Sequence, residues 1–322
     1  MAILIPSTTK ERGWKTIKET YLYKINLKSF LLTYCPEHTY TYYVGIDDDD
    51  RIYSVEKEQQ DLMRFISVMK NVSLQFISMK GIKKGHLTAM WNRLFHKAYH
   101  DGNDYFYQCG DDIQFINKGW VSQSIELLQL FNGYGTTGPH DKMQYRVHTQ
   151  SFVSRRHYEL FGFYFPSQIT NWFCDDWITK TYWEALLFPL LDKWCMNVGG
   201  APRYVSPRES QTYDEEKTLC DKLIVEGRKR VNFTIKNMKF PLHIMQSKQK
   251  QMKLGYDENE KQYGKMVNDT YQAILSEINI KNNKIDEKIK KEQQQQQLQA
   301  LIKKFEREVK TKKTLMHNLV HH

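Results

Sequence analysis

Cysteine is scarce in this chain. The five present (Cys35, Cys109, Cys174, Cys195 and Cys220) are an odd number, and no two share a CxxC spacing. That count excludes a disulfide scaffold and a zinc ribbon. It implies a reducing compartment in which thiols serve as small buried fillers. Long apolar runs are missing too. The longest, Ala185 to Leu191, is broken by Pro189 and is far short of the ~20 residues that span a bilayer. The opening MAILIP is too short for a signal peptide and lacks its basic flank. No internal repeat is evident. These absences imply a soluble cytoplasmic protein, of a cell or of virus-infected cytoplasm. The abundance of Asn, Lys, Ile and Tyr fits an AT-rich genome.

Hydrophobic residues make up 40% of the chain and charged residues 26%, a globular balance for most of its length. The 322 residues suffice for one large α/β domain with an appendage, able to bury a full core. The net charge of +10 is unevenly placed. Residues 244–322 hold 16 Lys and Arg against 10 Asp and Glu, so the first 243 residues carry only +4. The excess belongs mainly to the tail and is not a nucleic-acid footprint of the main domain. The tail has no Trp or Cys and contains a glutamine run from Gln293 to Gln297. Ile274, Ile278, Ile285 and Ile289, then Leu298, Leu301, Ile302 and Phe305, recur at helical intervals. Residues 244–322 therefore read as a helical or partly disordered extension, with a coiled coil or partner-binding helix as the other reading. Self-association or partner binding would fall to it.

The first 243 residues have a different rhythm. Apolar strands are expected at Ala2–Pro6, Thr39–Ile46, Val72–Met79 and Tyr105–Cys109, and helices at Trp14–Tyr34, Glu56–Met69 and Leu87–Tyr99. Such alternation predicts an α/β fold with a doubly wound, mostly parallel sheet. In these sheets ligands collect beyond the carboxyl ends of strands. Three of those ends are polar or acidic: Ser7 and Thr8, Asp47 and Asp48, and Asp111 and Asp112.

Two carboxylates directly after a strand repel one another in a partly dry turn. A divalent cation relieves that repulsion, and Mg²⁺ or Mn²⁺ is commonly held by one or two carboxylates plus substrate phosphates. Asp112 is the expected direct ligand, with Asp111 bonding a ribose or a water of the metal shell. The plainer reading is an acidic turn leading into Ile113-Gln114-Phe115.

The stretch GHLTAMWNRLFHKAYHDGNDYFYQCGDDIQF, Gly85 to Phe115, resembles the segment around the DxD-type motif of GT-A glycosyltransferases. It has a helix with Ala89 and Asn92, a small-residue step from Ala98 to Gly102, and an aromatic strand running into the acids. The opening AILIPSTTKERGW is similar to the first strand and nucleotide-facing loop of that family. The resemblance extends in element order from Met1 to about Val205. One departure is that the triplet begins with Gly110 rather than an acid. What the resemblance implies is a metal-dependent enzyme moving a sugar from a nucleotide-diphosphate sugar, UDP-linked by base rate, to a hydroxyl of a glycan, protein or small molecule. It further implies that Asp47 or Asp48 bonds the base or ribose near Ser7 and Thr8. Asp49 and Asp50 are expected to be solvated loop, with Arg51 balancing their charge. A membrane-anchored Golgi enzyme would carry an anchor near its amino terminus, so a cytoplasmic one is expected.

Asn171-Trp172-Phe173-Cys174-Asp175-Asp176-Trp177 is a second constellation, ahead of an expected helix at Ile178–Phe188. Asp175 or Asp176 would cap that helix and favour its dipole. In the resemblance, inverting GT-A enzymes place an acidic pair here, and one carboxylate serves as general base toward the acceptor. Asp176 is favoured, with Asp175 close behind, and a flanking Trp offers a platform for a sugar ring. Between the two constellations lie an expected flexible loop, Gly133 to Pro139, and an expected strand, Val147–Ser154. His148, Thr149 and Gln150 are strand-face residues or sugar contacts, Arg155 and Arg156 phosphate anchors or solvent-facing, and His243 a weak candidate for the metal shell. A nucleotidyltransferase would want a glycine-rich loop after the first strand, where STTKERG has one glycine. The alternative from another class is a non-catalytic basic scaffold or nucleic-acid-binding protein acting through its helical tail, which predicts steeply salt-dependent binding.

Overall fold

The computed structural model describes residues 1–142, 144, 146–183, 186–199 and 213–237. The tail, residues 244–322, and His243 lie outside the described residues. The chain opens with strand β1 (Ala2–Ser7), every residue of which is buried. A 3₁₀ turn (Ile17–Glu19) and one continuous helix follow, π-wound over Leu22–Leu27 and α-helical as α1 (Lys28–Thr33). Then come β2 (Tyr40–Ile46), α2 (Glu56–Ile66), β3 (Val72–Ser78), α3 (Leu87–His100) and β4 (Tyr105–Gln108). The second half adds β5 (Ile113–Phe115), α4 (Trp120–Leu130), β6 (Thr136–Asp141), β7 (Ser151–Ser154) and α5 (Arg155–Phe161). It closes with α6 (Cys174–Tyr182), β8 (Leu187–Asn197) and α7 (Tyr213–Lys236). No described helix is long and apolar enough to cross a membrane.

The strands form one sheet in the order β3-β2-β1-β4-β7-β6-β8-β5. β3, β2, β1 and β4 run parallel to their neighbours, β7 is antiparallel to β4 and β6, β8 is parallel to β6, and β5 is antiparallel to β8. This is the mostly parallel α/β sheet flanked by helices that the sequence alternation implies. The central strands are near-continuous apolar runs because both their faces are covered. β3, at the edge, is instead half-buried or exposed at every position but Leu74. Strand order reverses beside β1, where β2 pairs on one side and β4 on the other. A crevice opens at the carboxyl ends of strands at such a switch point.

Three expectations for the second half are corrected. The segment expected as a flexible loop, Gly133 to Pro139, instead enters the fully buried β6. Gly138 is required there by its backbone, at φ 131°, since a Cβ would make only ordinary contacts with Tyr107, His148 and Phe152 at 3.4–3.5 Å. The strand expected at Val147–Ser154 is paired only over β7. The helix expected at Ile178–Phe188 begins earlier, at Cys174, and ends at Tyr182; Leu187 and Phe188 belong to β8 beside β6. A short apolar run does not distinguish strand from helix by period alone.

Candidate functional site

Acid-bearing strand ends and the start of α6 meet around one cavity of about 800 Å³. β1 contributes Pro6, β4 and the turn after it Gln108, Gly110 and Asp112, β6 Asp141, and β8 Asn197. The opposite wall is the 171–176 segment with Lys180, and the first turns of α7 supply Tyr213 and Lys217. Asp112 and the Asp175–Asp176 pair, far apart in sequence, therefore line one space.

Local structure accounts for each position. β4 ends at Gln108, and the turn over Gly110-Asp111-Asp112 hands the chain to β5. The two acids of this turn differ in burial. Asp111 is fully buried and accepts a hydrogen bond from Ser7 Oγ at 2.6 Å, and Ser7 Oγ also lies 2.7 Å from the Tyr53 hydroxyl. Burial, with the nearby Asp111 charge, pushes the Tyr53 phenol well above its ordinary range. Asp112 is half-buried and faces the cavity, and Val198 N–H donates to its carbonyl at 3.1 Å. Its carboxylate is flanked by two glycines, Gly110 and Gly199. A Cβ at Gly110 would stand 2.5 Å from Oδ1, and Gly199 leaves no more room.

The end of β2 behaves differently from the simple acidic loop expected. Asp47 is buried and accepts from Thr8 Oγ1 at 3.4 Å, while Asp48 is exposed and bonded by Ser78 Oγ. Asp49 is exposed and ion-paired with Lys84 at 2.6 Å. Asp50, expected to be solvated, is 5% exposed. Its carboxylate accepts from Thr9 N–H (2.6 Å), Thr9 Oγ1 (2.9 Å), Ile52 N–H (3.0 Å) and Tyr53 N–H (2.9 Å), with Thr8 Oγ1 at 3.3 Å. The loop after β1 is tied to the loop after β2 through this one side chain. Arg51 donates to the Arg12 carbonyl rather than balancing the aspartates.

Helix α6 begins after Phe173, a non-glycine residue in the left-handed region at φ 72°. Neither acid caps the helix with its side chain; both lie in its first turn, where the helix dipole favours negative charge. Their surroundings drive them apart. Asp176 is bound by Arg146 through both guanidinium nitrogens (2.7 and 3.3 Å) and by Lys180 at 3.2 Å. Among the described residues Asp175 has no such cation pair. Burial, reinforced by the neighbouring Asp176 charge and offset by Arg146, raises its carboxyl to about 7. The segment leading into α6 is held by α3. Asn92 Oδ1 accepts from Tyr164 N–H and Phe165 N–H at 2.9 Å each, and Asn92 Nδ2 donates to the Phe165 carbonyl at 2.7 Å.

The remaining candidates divide. Thr149 and Gln150 line the cavity; Thr149 Oγ1 donates to Asp141 Oδ2 at 3.1 Å. His148 lies behind them, 3% exposed, with its imidazole lowered to about 3 by burial. Arg155 donates to the carbonyls of Tyr99 and Asn103 and covers the Tyr99 ring at 4.0 Å, and Arg156 pairs with Glu159. Both arginines are thus engaged outside the cavity lining. Of the two tryptophans, Trp172 lines the cavity, while Trp177 is buried and donates to the Leu223 carbonyl. All five cysteines are free, four of them buried. Arg146, Lys180, Asp141 and Tyr213 were not among the sequence candidates. Lys180 alone had a signal, its spacing four residues after Asp176 on one helix face.

Among the described residues no three His, Cys, Asp or Glu side chains converge as a metal cluster. The donor set around Asp112 fits instead a hard cation that takes one or two protein carboxylates and completes its shell with phosphate and water oxygens. The two-glycine cradle that admits the carboxylate at the cavity edge agrees with that fit.

No protein-family model matches the sequence, and no curated protein matches it. Among solved structures, S. aureus TarS 1-349 in complex with UDP-GlcNAc is similar with a TM-score of 0.45 and 14% identity, over 85% of this chain and 81% of that one. S. aureus TarS 1-349 in complex with UDP is similar with a TM-score of 0.44 and 14% identity, over 70% of this chain and 64% of that one. S. aureus TarS is similar with a TM-score of 0.44 and 14% identity over 69% of this chain, which spans 38% of the length of that one.

Proposed function

We propose that this chain is a metal-dependent glycosyltransferase that moves a sugar from a nucleotide-diphosphate sugar, UDP-linked, to an acceptor hydroxyl. The observation that carries the reading is the placement of Asp112 and the Asp175–Asp176 pair around one cavity at the sheet's switch point. Mn²⁺ or Mg²⁺ at Asp112 would supply charge neutralisation for the diphosphate leaving group. Asp111, held by Ser7, and Asp47, beside Thr8, are buried at the neighbouring strand ends and are not part of the cavity lining; in this reading they support the donor side of the site from behind.

On the acceptor side, the protein must hold a carboxylate ready to take the hydroxyl proton as the oxygen attacks the anomeric carbon. Two carboxylates whose surroundings separate their proton affinities divide such work. Arg146 and Lys180 hold Asp176 in place through their ion pairs. Asp175, raised to about 7, has the affinity a base needs at neutral pH. In this reading Asp175 is the base, although the sequence favours Asp176, and Asp176 orients the two cations. Rate enhancement in this scheme comes from positioning and preset charge rather than a covalent intermediate, and the product sugar is inverted.

Titrating UDP with and without Mn²⁺ tests the donor half. Binding should strengthen with Mn²⁺, and Asp112→Asn should remove the metal-dependent part with the circular dichroism spectrum unchanged. Metal-independent binding by both proteins would count against the reading, as would UDP affinity matched by other nucleoside diphosphates.

A further inference from the structure

The wall of the cavity beside the acid pair is aromatic, and its construction is strained. Phe173 holds a left-handed backbone at φ 72°, a conformation that bulky side chains avoid and that persists where surrounding structure enforces it. The consequence is visible. Its ring meets Tyr213 of α7 with centroids 5.2 Å apart, and its carbonyl accepts from Trp177 N–H at 2.8 Å and from Cys220 Sγ at 3.5 Å. Trp177 Nε1 donates to the Leu223 carbonyl at 3.3 Å, and Arg228 Nε donates to the Lys180 carbonyl at 2.7 Å. α7, from Tyr213 to Arg228, is thereby fastened along α6 from its start to its last turn. Trp172, Phe173 and Tyr213 line the cavity as half-buried rings next to Asp175. Asn171 and Lys217 stand among them.

We propose that Trp172, Phe173 and Tyr213 form an acceptor subsite for a sugar ring, closed by α7; the inference rests on the glycosyltransferase reading of the same cavity. A pyranose has one face of C–H bonds and a rim of hydroxyls. Aromatic faces accept the first, and interspersed amide, ammonium and carboxylate groups accept the second. An all-apolar wall would suit a lipid chain, and a wall of charges alone a phosphate. This mixed wall, with a carboxylate of base-like affinity at its edge, suits a saccharide hydroxyl presented for transfer. The strain at Phe173 is the device that turns the 171–173 segment toward α7 while starting α6 at the acid pair.

The test uses the full chain with UDP-glucose, UDP-galactose and UDP-N-acetylglucosamine as donors. UDP release is measured in buffer, with methyl α- and β-pyranosides of glucose, galactose, mannose and N-acetylglucosamine, and with glycerol as a hydroxyl without a ring. At least one pyranoside should accelerate release several-fold over hydrolysis where glycerol does not. Tyr213→Ala and Trp172→Ala should lower the ratio of transfer to hydrolysis at least tenfold, and Tyr213→Phe should restore it. Phe173→Gly should lower the same ratio although glycine suits the backbone angle. Failure of every pyranoside to exceed glycerol, or an unchanged ratio in both alanine variants, overturns the subsite while leaving the donor reading in place. Absence of donor turnover in all conditions overturns both.

Discussion

Gly199 makes room for Asp112. A Cβ at position 199 would fall on the Asp112 carboxylate, against Oδ2 and 2.6 Å from its Cγ, closer than any real contact. Position 199 lies just beyond β8, and Asp112 lies just before β5, so the antiparallel pairing of these strands brings them together. Gly199 is not among the residues with positive φ, so alanine meets no backbone penalty there. Gly199→Ala should therefore act through the carboxylate it displaces. The expected result is a loss of Mn²⁺-dependent UDP affinity of at least tenfold, about 1.4 kcal/mol, with Tm changed by no more than a few degrees. Equal affinity in Gly199→Ala and the parent would show that the carboxylate's position is immaterial to donor binding.

The acid pair makes a pH-dependent prediction. A base must be deprotonated to act, so transfer should rise with pH through an apparent pKa near 7, set by the raised carboxyl of Asp175. Asp175→Asn should cut kcat by a factor of about 10²–10⁴ and remove that rising limb. Asp176→Asn releases Arg146 and Lys180 from their shared partner, so it should alter the apparent pKa and KM as well as kcat. A rising limb preserved in Asp175→Asn and lost in Asp176→Asn would reverse the assignment within the pair.

Asp50 predicts a stability effect. Its carboxylate takes two N–H donors from its own loop, at Ile52 and Tyr53, and both the amide and the hydroxyl of Thr9. Replacement by alanine strands these buried donors, each worth about 1–3 kcal/mol when left unsatisfied, less where water reaches them. Asp50→Ala should cost about 2–4 kcal/mol in urea unfolding, whereas Asp49→Ala, which loses only an exposed pair with Lys84, should cost under about 1 kcal/mol. Comparable losses in the two variants would refute the distinction.

What was legible in the sequence follows from this contrast. Parallel central strands announce themselves as apolar runs, so β1, β2, β3 and β4 fall within a residue or two of expectation. Their ends could be read as ligand-facing because topology, not detail, decides that. The four aspartates from 47 to 50 look alike in sequence, yet one is a buried hub and its neighbour a solvated ion pair, a difference made by contacts with residues some forty positions away. Arg146 had no local signal, since its partner Asp176 is 30 residues downstream. β6 was hidden because Gly133, Gly135, Gly138 and Pro139 together resemble a loop, and only its pairing with β7 and β8 shows the strand. The helix start at Cys174 was hidden because it depends on a strained phenylalanine rather than a capping side chain.

Two buried histidines set the response of the fold to acid. His148 and His157 are held neutral by burial, with imidazoles lowered to about 3 and about 4. His157 spends both ring nitrogens inside the core, on the Tyr182 hydroxyl at 2.8 Å and the Tyr164 carbonyl at 3.0 Å. In the unfolded chain each would titrate near its ordinary value of 6.5. Below that pH the unfolded state binds more protons than the native state, so stability falls as pH falls, by up to about 1.4 kcal/mol per pH unit for each histidine. The loss should begin near pH 6.5 and continue until the native imidazoles protonate at about 4 and about 3. Raising the pH above 7 should recover nothing more from these two groups. Asp175, raised to about 7, binds its proton first in the native state and so offsets part of this loss over the same range. The histidine share is therefore read as the difference between the parent and His148→Gln in urea titrations at pH 7.5, 6.0 and 5.0, with the variant gaining relative to the parent as pH falls. A parent-to-variant difference that stays constant between pH 7.5 and 5.0 would mean that the His148 ring is already reached by water in the native state.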